Sequence, residues 1–130
     1  MPRSYHSAAA AFAIGRPPKW LDNVLSRYRI TGIPRQTRGL SRAISLDALM
    51  ILRITSDLCA DLDLSVARSL ELAQALTASS DGTAVLSSGL RVQVDLTRAR
   101  RTLEHRLLET AETHLPPPRG RPPMRRLDTP

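Results

Sequence analysis

The sequence predicts a mainly α-helical fold with one late β-hairpin, on three observations. Hydrophobic residues make up 42% of the 130 residues but aromatics only 3%, so the core must come from Leu, Ile, Val and Ala, which favours helices. Apolar positions recur three and four residues apart over most of the chain, the period of a one-sided helix. Between Leu90 and Val94 that period drops to two, the mark of a half-buried strand. A chain of this length buries roughly two-thirds of the surface it exposes when unfolded, enough for a core of its own.

Taken in order, Ser7 is expected to cap a helix over Ala8–Ile14, where four consecutive alanines lose little side-chain entropy. Gly15 ends it, and Arg16-Pro17-Pro18 forms a rigid connection in which Pro18 suits the first turn of a second helix. Leu21, Val24, Leu25 and Tyr28 then give an apolar stripe opposite Lys19, Asn23, Ser26 and Arg27. From Arg29 to Arg42 the periodicity is lost among Gly32, Pro34 and Gly39, which predicts an exposed basic loop or short hairpin. Ser45 and Ser65 are placed to cap helices over Leu46–Leu62 and Val66–Thr77, with Asp63 in the turn between them. After a break at Ser79–Gly82, Val85-Leu86 and the alternating Leu90, Val92 and Val94 flank Ser87-Ser88-Gly89, a hairpin closed by a short loop. Asp95 caps a last helix, Leu96 to about Leu115, with Leu96, Ala99, Leu103, Leu107, Ala111 and Leu115 on one stripe. That stripe fits packing on the chain's own core, or alternatively pairing with a second copy as a homodimer. Pro116-Pro117-Pro118 stops the pattern, and the last fifteen residues hold too little apolar content to fold, so a disordered tail is expected. The expected units are residues 1–78, 79–115 and 116–130.

The formal charge of +7 is unevenly spread. Residues 1–42 hold eight basic groups against Asp22 alone, residues 43–115 hold seven against ten acids, and residues 116–130 hold four against one. Codon bias accounts for eighteen Arg to one Lys, but not for acids being missing from two segments only. Basic ends favour a polyanion, because each neutralised phosphate releases condensed counterions. Cys59, a lone cysteine among Leu58, Ala60 and Leu62, reads as a buried apolar filler, and His6, His105 and His114 share no metal-ligand spacing. No nucleophile and base are paired, so no enzyme, cofactor, metal or small-molecule ligand is expected. No apolar run approaches the ~20 residues of a membrane span, and Ala8–Ile14 lacks the charged lead-in of a secretory signal. A cytoplasmic protein is the expectation.

The spacing Ala11, Gly15, Leu21, Val24 resembles a helix-turn-helix signature: a small residue where two helices approach, a glycine in the turn, and apolar residues pinning the second helix. Tyr5-His6-Ser7, Gly32-Ile33-Pro34, the stretch Arg38–Leu49 and Leu62–Leu70 extend that likeness to a MerR-type winged helix-turn-helix over residues 5–77. Trp20-Leu21-Asp22-Asn23-Val24 departs from the family's usual recognition helix, Ile44 replaces a common aromatic, and Asp63 stands where glycine is usual. The resemblance implies double-stranded DNA as partner, nucleoid association and a role in transcription regulation. It puts the second helix in a major groove, with Asn23 on a base, Lys19 and Arg27 on phosphate or guanine, and Arg16 at the start of that helix. Arg35, Arg38 and Arg42 in the wing would reach the backbone or minor groove.

The tail sequence Pro118-Arg119-Gly120-Arg121-Pro122 is similar to an AT-hook, in which Arg119 and Arg121 would lie along a minor groove; a solubilising linker is the other reading. Two further roles fit the same sequence: an excisionase-like architectural factor or autoregulatory antitoxin, and a protein-interaction module whose helices at 46–77 and 96–115 bind a polymerase subunit or toxin.

Overall fold

A computed structural model describes residues 4–30, 33 and 44–113. Five helices and two short antiparallel sheets follow one another as β1 (Ser4–Tyr5), α1 (Ser7–Ile14), α2 (Pro18–Arg27), β2 (Ile44–Ser45), α3 (Leu46–Leu62), α4 (Val66–Ala78), β3 (Thr83–Val85), β4 (Arg91–Gln93) and α5 (Leu96–Thr113). The expected wing from Arg29 to Arg42 and the tail after Leu115 lie outside the described residues, apart from Arg29, Ile30 and Ile33.

The caps of α3 and α4 are those expected. Ser45 Oγ accepts the Ala48 N–H at 3.2 Å and Ser65 Oγ accepts the Arg68 N–H at 3.2 Å. Asp95 Oδ1 starts α5 in the same way, taking the Arg98 N–H at 3.0 Å. Each satisfies a donor that the first turn of a helix leaves without a partner. Between α3 and α4, Asp63 adopts φ 56°, in the left-handed region where glycine is the easier residue. Leu64 N–H reaches back to Leu58 O at 3.5 Å and closes the turn.

Helix α1 starts differently from the expectation. Ser7 is its first helical residue, and the cap position belongs to His6, which makes no side-chain capping bond. The reason is β1: Tyr5 pairs with Ile44 and Ser4 with Ser45, so the chain is still extended at His6 and turns into the helix immediately after it. This pairing joins residues 39 and 41 positions apart and has no periodic signature.

The hairpin forms in the register Thr83↔Gln93, Ala84↔Val92, Val85↔Arg91. Val92 and Val94 face inward and are half-buried, but Leu90 is 65% exposed, because it flanks the Leu86–Leu90 loop rather than lying in the ladder. Gly82 carries the hairpin close to the start of α5: it accepts the Val94 N–H at 2.8 Å, and a Cβ there would collide with the Val94 carbonyl. In the turn before β3, the Ser79 hydroxyl donates to Asp81 Oδ1 at 2.6 Å and the Thr83 N–H donates to the same oxygen at 3.2 Å. The Ser79 bond, with Thr83 adding to it, holds the Asp81 carboxyl below its ordinary value of 3.8. A folded-state value depressed in this way contributes stability above the unfolded value and loses it as pH falls through the folded one.

One hydrophobic cluster gathers Ala10, Ala11, Ala13 and Ile14 of α1, Leu21 and Val24 of α2, Leu49 and Leu52 of α3, Leu70 and Leu76 of α4, and Leu103 and Leu107 of α5. The described part of the α5 stripe, Leu96, Ala99, Leu103 and Leu107, therefore faces the chain's own core, against α1 and α3, and the placement of Ala111 and Leu115 lies outside the described side chains. Cys59 is half-buried rather than buried, and its thiol donates to Ser69 Oγ at 3.4 Å. Among the described residues no helix is long and apolar enough to cross a membrane.

Replacing Leu103, which is 0% exposed, by alanine should cost about 2–5 kcal/mol in chemical denaturation. Leu108, 62% exposed on the same helix, should cost less than about 0.5 kcal/mol by the same substitution.

Candidate nucleic-acid interface

The site is built outward from the end of α1. Gly15 stands at φ 85°, a backbone state that L side chains rarely adopt, and its N–H together with that of Arg16 closes the helix onto Ala11 and Phe12 carbonyls. Pro17 then holds φ −62° and Pro18 opens α2 at a position where no amide donor is required. The connection is therefore three residues long, held at Gly15 by its backbone hydrogen bonds and at Pro17 by the proline ring.

Helix α2 sorts its side chains by face, as its sequence predicts. Leu21 and Val24 are buried and Leu25 and Tyr28 half-buried, whereas Lys19, Asn23, Ser26 and Arg27 are exposed. Lys19, Asn23 and Arg27 succeed one another at intervals of four and lie along one side of the helix. Ser26 Oγ–H is turned to the Asn23 carbonyl at 3.0 Å, which leaves the Asn23 amide outside that bond. Arg29, just past the end of α2, is exposed as well.

Arg16, expected at this interface, occupies a different setting. It is half-buried, its Nε donates to Ser56 Oγ at 2.8 Å and its Nη2 to Ser56 O at 3.2 Å, and its guanidinium lies 4.9 Å from the centre of the Trp20 ring. Arg16 thus pins the start of α2 to α3. Arg35, Arg38, Arg42, Arg119 and Arg121 lie outside the described residues.

Two arginines that sequence reasoning did not single out complete the surroundings of the turn. Arg53 of α3 donates from Nη1 to Ala13 O at 2.9 Å and from Nε to Asp57 Oδ2 at 3.3 Å. Arg106 of α5 donates to Phe12 O from Nε at 3.3 Å and Nη2 at 3.0 Å, with its guanidinium 4.8 Å from the centre of the Phe12 ring. The one hint in the sequence is Arg53 itself, a charge set between Leu52 and Ile54 in an otherwise apolar stretch.

The described residues contain no group of three or more His, Cys, Asp or Glu that could hold a metal ion. Comparison with protein families, curated proteins and solved structures finds no match to this chain.

Replacing Arg16 by methionine removes two hydrogen bonds and the Trp20 stack. It should lower stability by about 1–3 kcal/mol in denaturant titrations and shift the emission of Trp20, the chain's single tryptophan.

Proposed function

We propose that this chain is a sequence-specific double-stranded DNA-binding protein, a transcriptional regulator of winged helix-turn-helix, MerR-like architecture. The observation that carries the reading is the line of Lys19, Asn23 and Arg27 on the exposed side of α2, opposite the buried Leu21 and Val24. A major groove is wide enough to admit one such helix. An asparagine there makes a bidentate contact to adenine, and lysine or arginine reaches guanine or phosphate. Lys19 and Arg27 flank Asn23 one turn to either side, so they grip the strand around the base that Asn23 reads.

The remaining basic groups take positioning roles around that contact. Arg29 stands exposed just past the end of α2, and Arg35, Arg38 and Arg42 of the wing segment supply backbone or minor-groove contacts. The Arg119-Gly120-Arg121 tail adds a second grip whose value comes from raised local concentration at the duplex. Arg16 is assigned to fastening the start of α2, because Ser56 and Trp20 occupy it.

Binding to a random-sequence duplex pool across a range of salt tests this reading. Six to ten phosphate contacts give a log–log slope of roughly −5 to −9, and a flat response refutes it. Asn23→Ala should relax base preference at one position with the slope nearly intact. Lys19→Ala should weaken every sequence alike and reduce the slope by about 1. Identical losses on all sequences for both variants would move the reading face away from α2. For the tail, Arg119 and Arg121 replaced together by alanine should lower affinity for A·T-rich duplex; unchanged affinity would make the segment a linker.

A further inference from the structure

We propose that Arg53 and Arg106 are positioning residues for the interface: by tying the last carbonyls of α1 to α3 and α5, they set the pose in which α2 presents Lys19, Asn23 and Arg27. This rests on the DNA-binding reading for its functional consequence, and on geometry alone for its structural part.

Helix α1 is eight residues long, five of them alanine. Ridges of large side chains are what lock one helix against another in rotation and translation, and an alanine surface offers few of them. Apart from Phe12 and Ile14, the apolar contacts of α1 come from alanines, which bring it close to its neighbours and do little to fix how far it is turned. Its polar tethers do fix that. Phe12 O takes both Arg106 Nε and Nη2, Ala13 O takes Arg53 Nη1, and Asp57 Oδ2 steadies Arg53 from the other side. The Phe12 ring under the Arg106 guanidinium adds a fourth point of contact. Cations at a helix C-terminus also oppose its partial negative charge.

What these tethers fix is passed on to α2. Only Gly15, Arg16 and Pro17 separate the two helices, Pro17 cannot change its φ appreciably, and Arg16 binds the start of α2 to Ser56, one turn beyond Arg53 on α3. A rotation of the last turn of α1 thus becomes a rotation of the α2 face. Neither Arg53 nor Arg106 lies on α2, and both are half-buried, so their effect on DNA would be indirect.

The test uses the full chain with Arg53→Met, Arg106→Met and the matching Arg→Lys variants, each checked for native helicity by circular dichroism. Trp20 emission reads the α2 pose without DNA, since that ring stacks on Arg16 in the turn. Binding to the random-sequence duplex pool across salt reads its consequence. Methionine variants that stay folded should shift Trp20 emission and weaken binding at every salt concentration with the slope unchanged. If the competent fraction falls to about one tenth, the loss is about tenfold. Lysine variants, which keep the charge and a donor but lose the fork, should fall between. Should the methionine variants fail to fold, the lysine variants are judged by the same two readouts.

A folded variant with wild-type emission and affinity makes these arginines stabilising only and overturns the proposal. A slope reduced by about 1 overturns it in a different way, by making the residue a phosphate ligand. A wild-type protein indifferent to DNA at all salts defeats the DNA-binding reading instead, and the positioning role is then decided by Trp20 emission alone.

Discussion

The architecture depends on how the C-terminal end of one short helix is satisfied. The last four carbonyls of any α-helix lack intrahelical partners, and their partial negative charge is costly next to an apolar core. In α1 three of them are answered from three directions: Ala11 and Phe12 by the backbone of the Gly15 turn, Phe12 also by Arg106, and Ala13 by Arg53. Because Arg53 and Arg106 sit near the middles of α3 and α5, α1 ends beside longer helices that continue past it. The β1–β2 pairing and the Arg100–Asp47 ion pair at 2.8 Å draw the opposite ends together. The three helices consequently run in the same sense, an arrangement in which unscreened dipole ends would repel and in which guanidinium groups at the shorter terminus are a direct remedy.

Those contacts also change what the net charge means. The basic excess of the first forty-two residues favours a polyanion, yet Arg16 is committed to Ser56 and Trp20. Arg53 and Arg106, in the nearly balanced middle of the chain, are committed to the α1 carbonyls. Others form ordinary surface pairs, as Arg68 does with Glu71 at 2.8 Å, a contact worth little in water. Lys19, Arg27 and Arg29 are exposed. Charge counted by segment thus includes groups, such as Arg16, that are turned inward, and overstates how much of it faces outward. Arginine's flat fork explains the difference, since it can serve backbone carbonyls and aromatic faces where a lysine ammonium would stay hydrated.

Much of the fold was legible because its signals are local. Ser45, Ser65 and Asp95 each precede an apolar repeat and each caps the helix it was expected to cap. Gly15 and the change of period near Val92 likewise act within a few residues of themselves. What the sequence did not disclose depends on partners far along the chain. The extended pairing of Tyr5 with Ile44 moved the start of α1 to Ser7. Leu90 obeys the alternation of a strand yet ends exposed, because the loop ends one residue later than periodicity implies and the second strand starts only at Arg91. On α2 the face presented to solvent was readable from the stripe of Leu21 and Val24. The inward turn of Arg16 was not, since nothing near position 16 announces Ser56.

The bond between Phe12 and Arg106 spans 94 positions of sequence. Chains are made from the N-terminus, so α1 and α2 leave the ribosome long before the residue that completes the end of α1 exists. The α3–α4 pair, joined by a three-residue turn, can form locally, and contacts of that kind form first because little loop entropy opposes them. Docking of α5 onto α1 can only follow these local steps. Among the described helices, α1 therefore gains the Arg106 bonds that complete its C-terminal end only when α5 arrives.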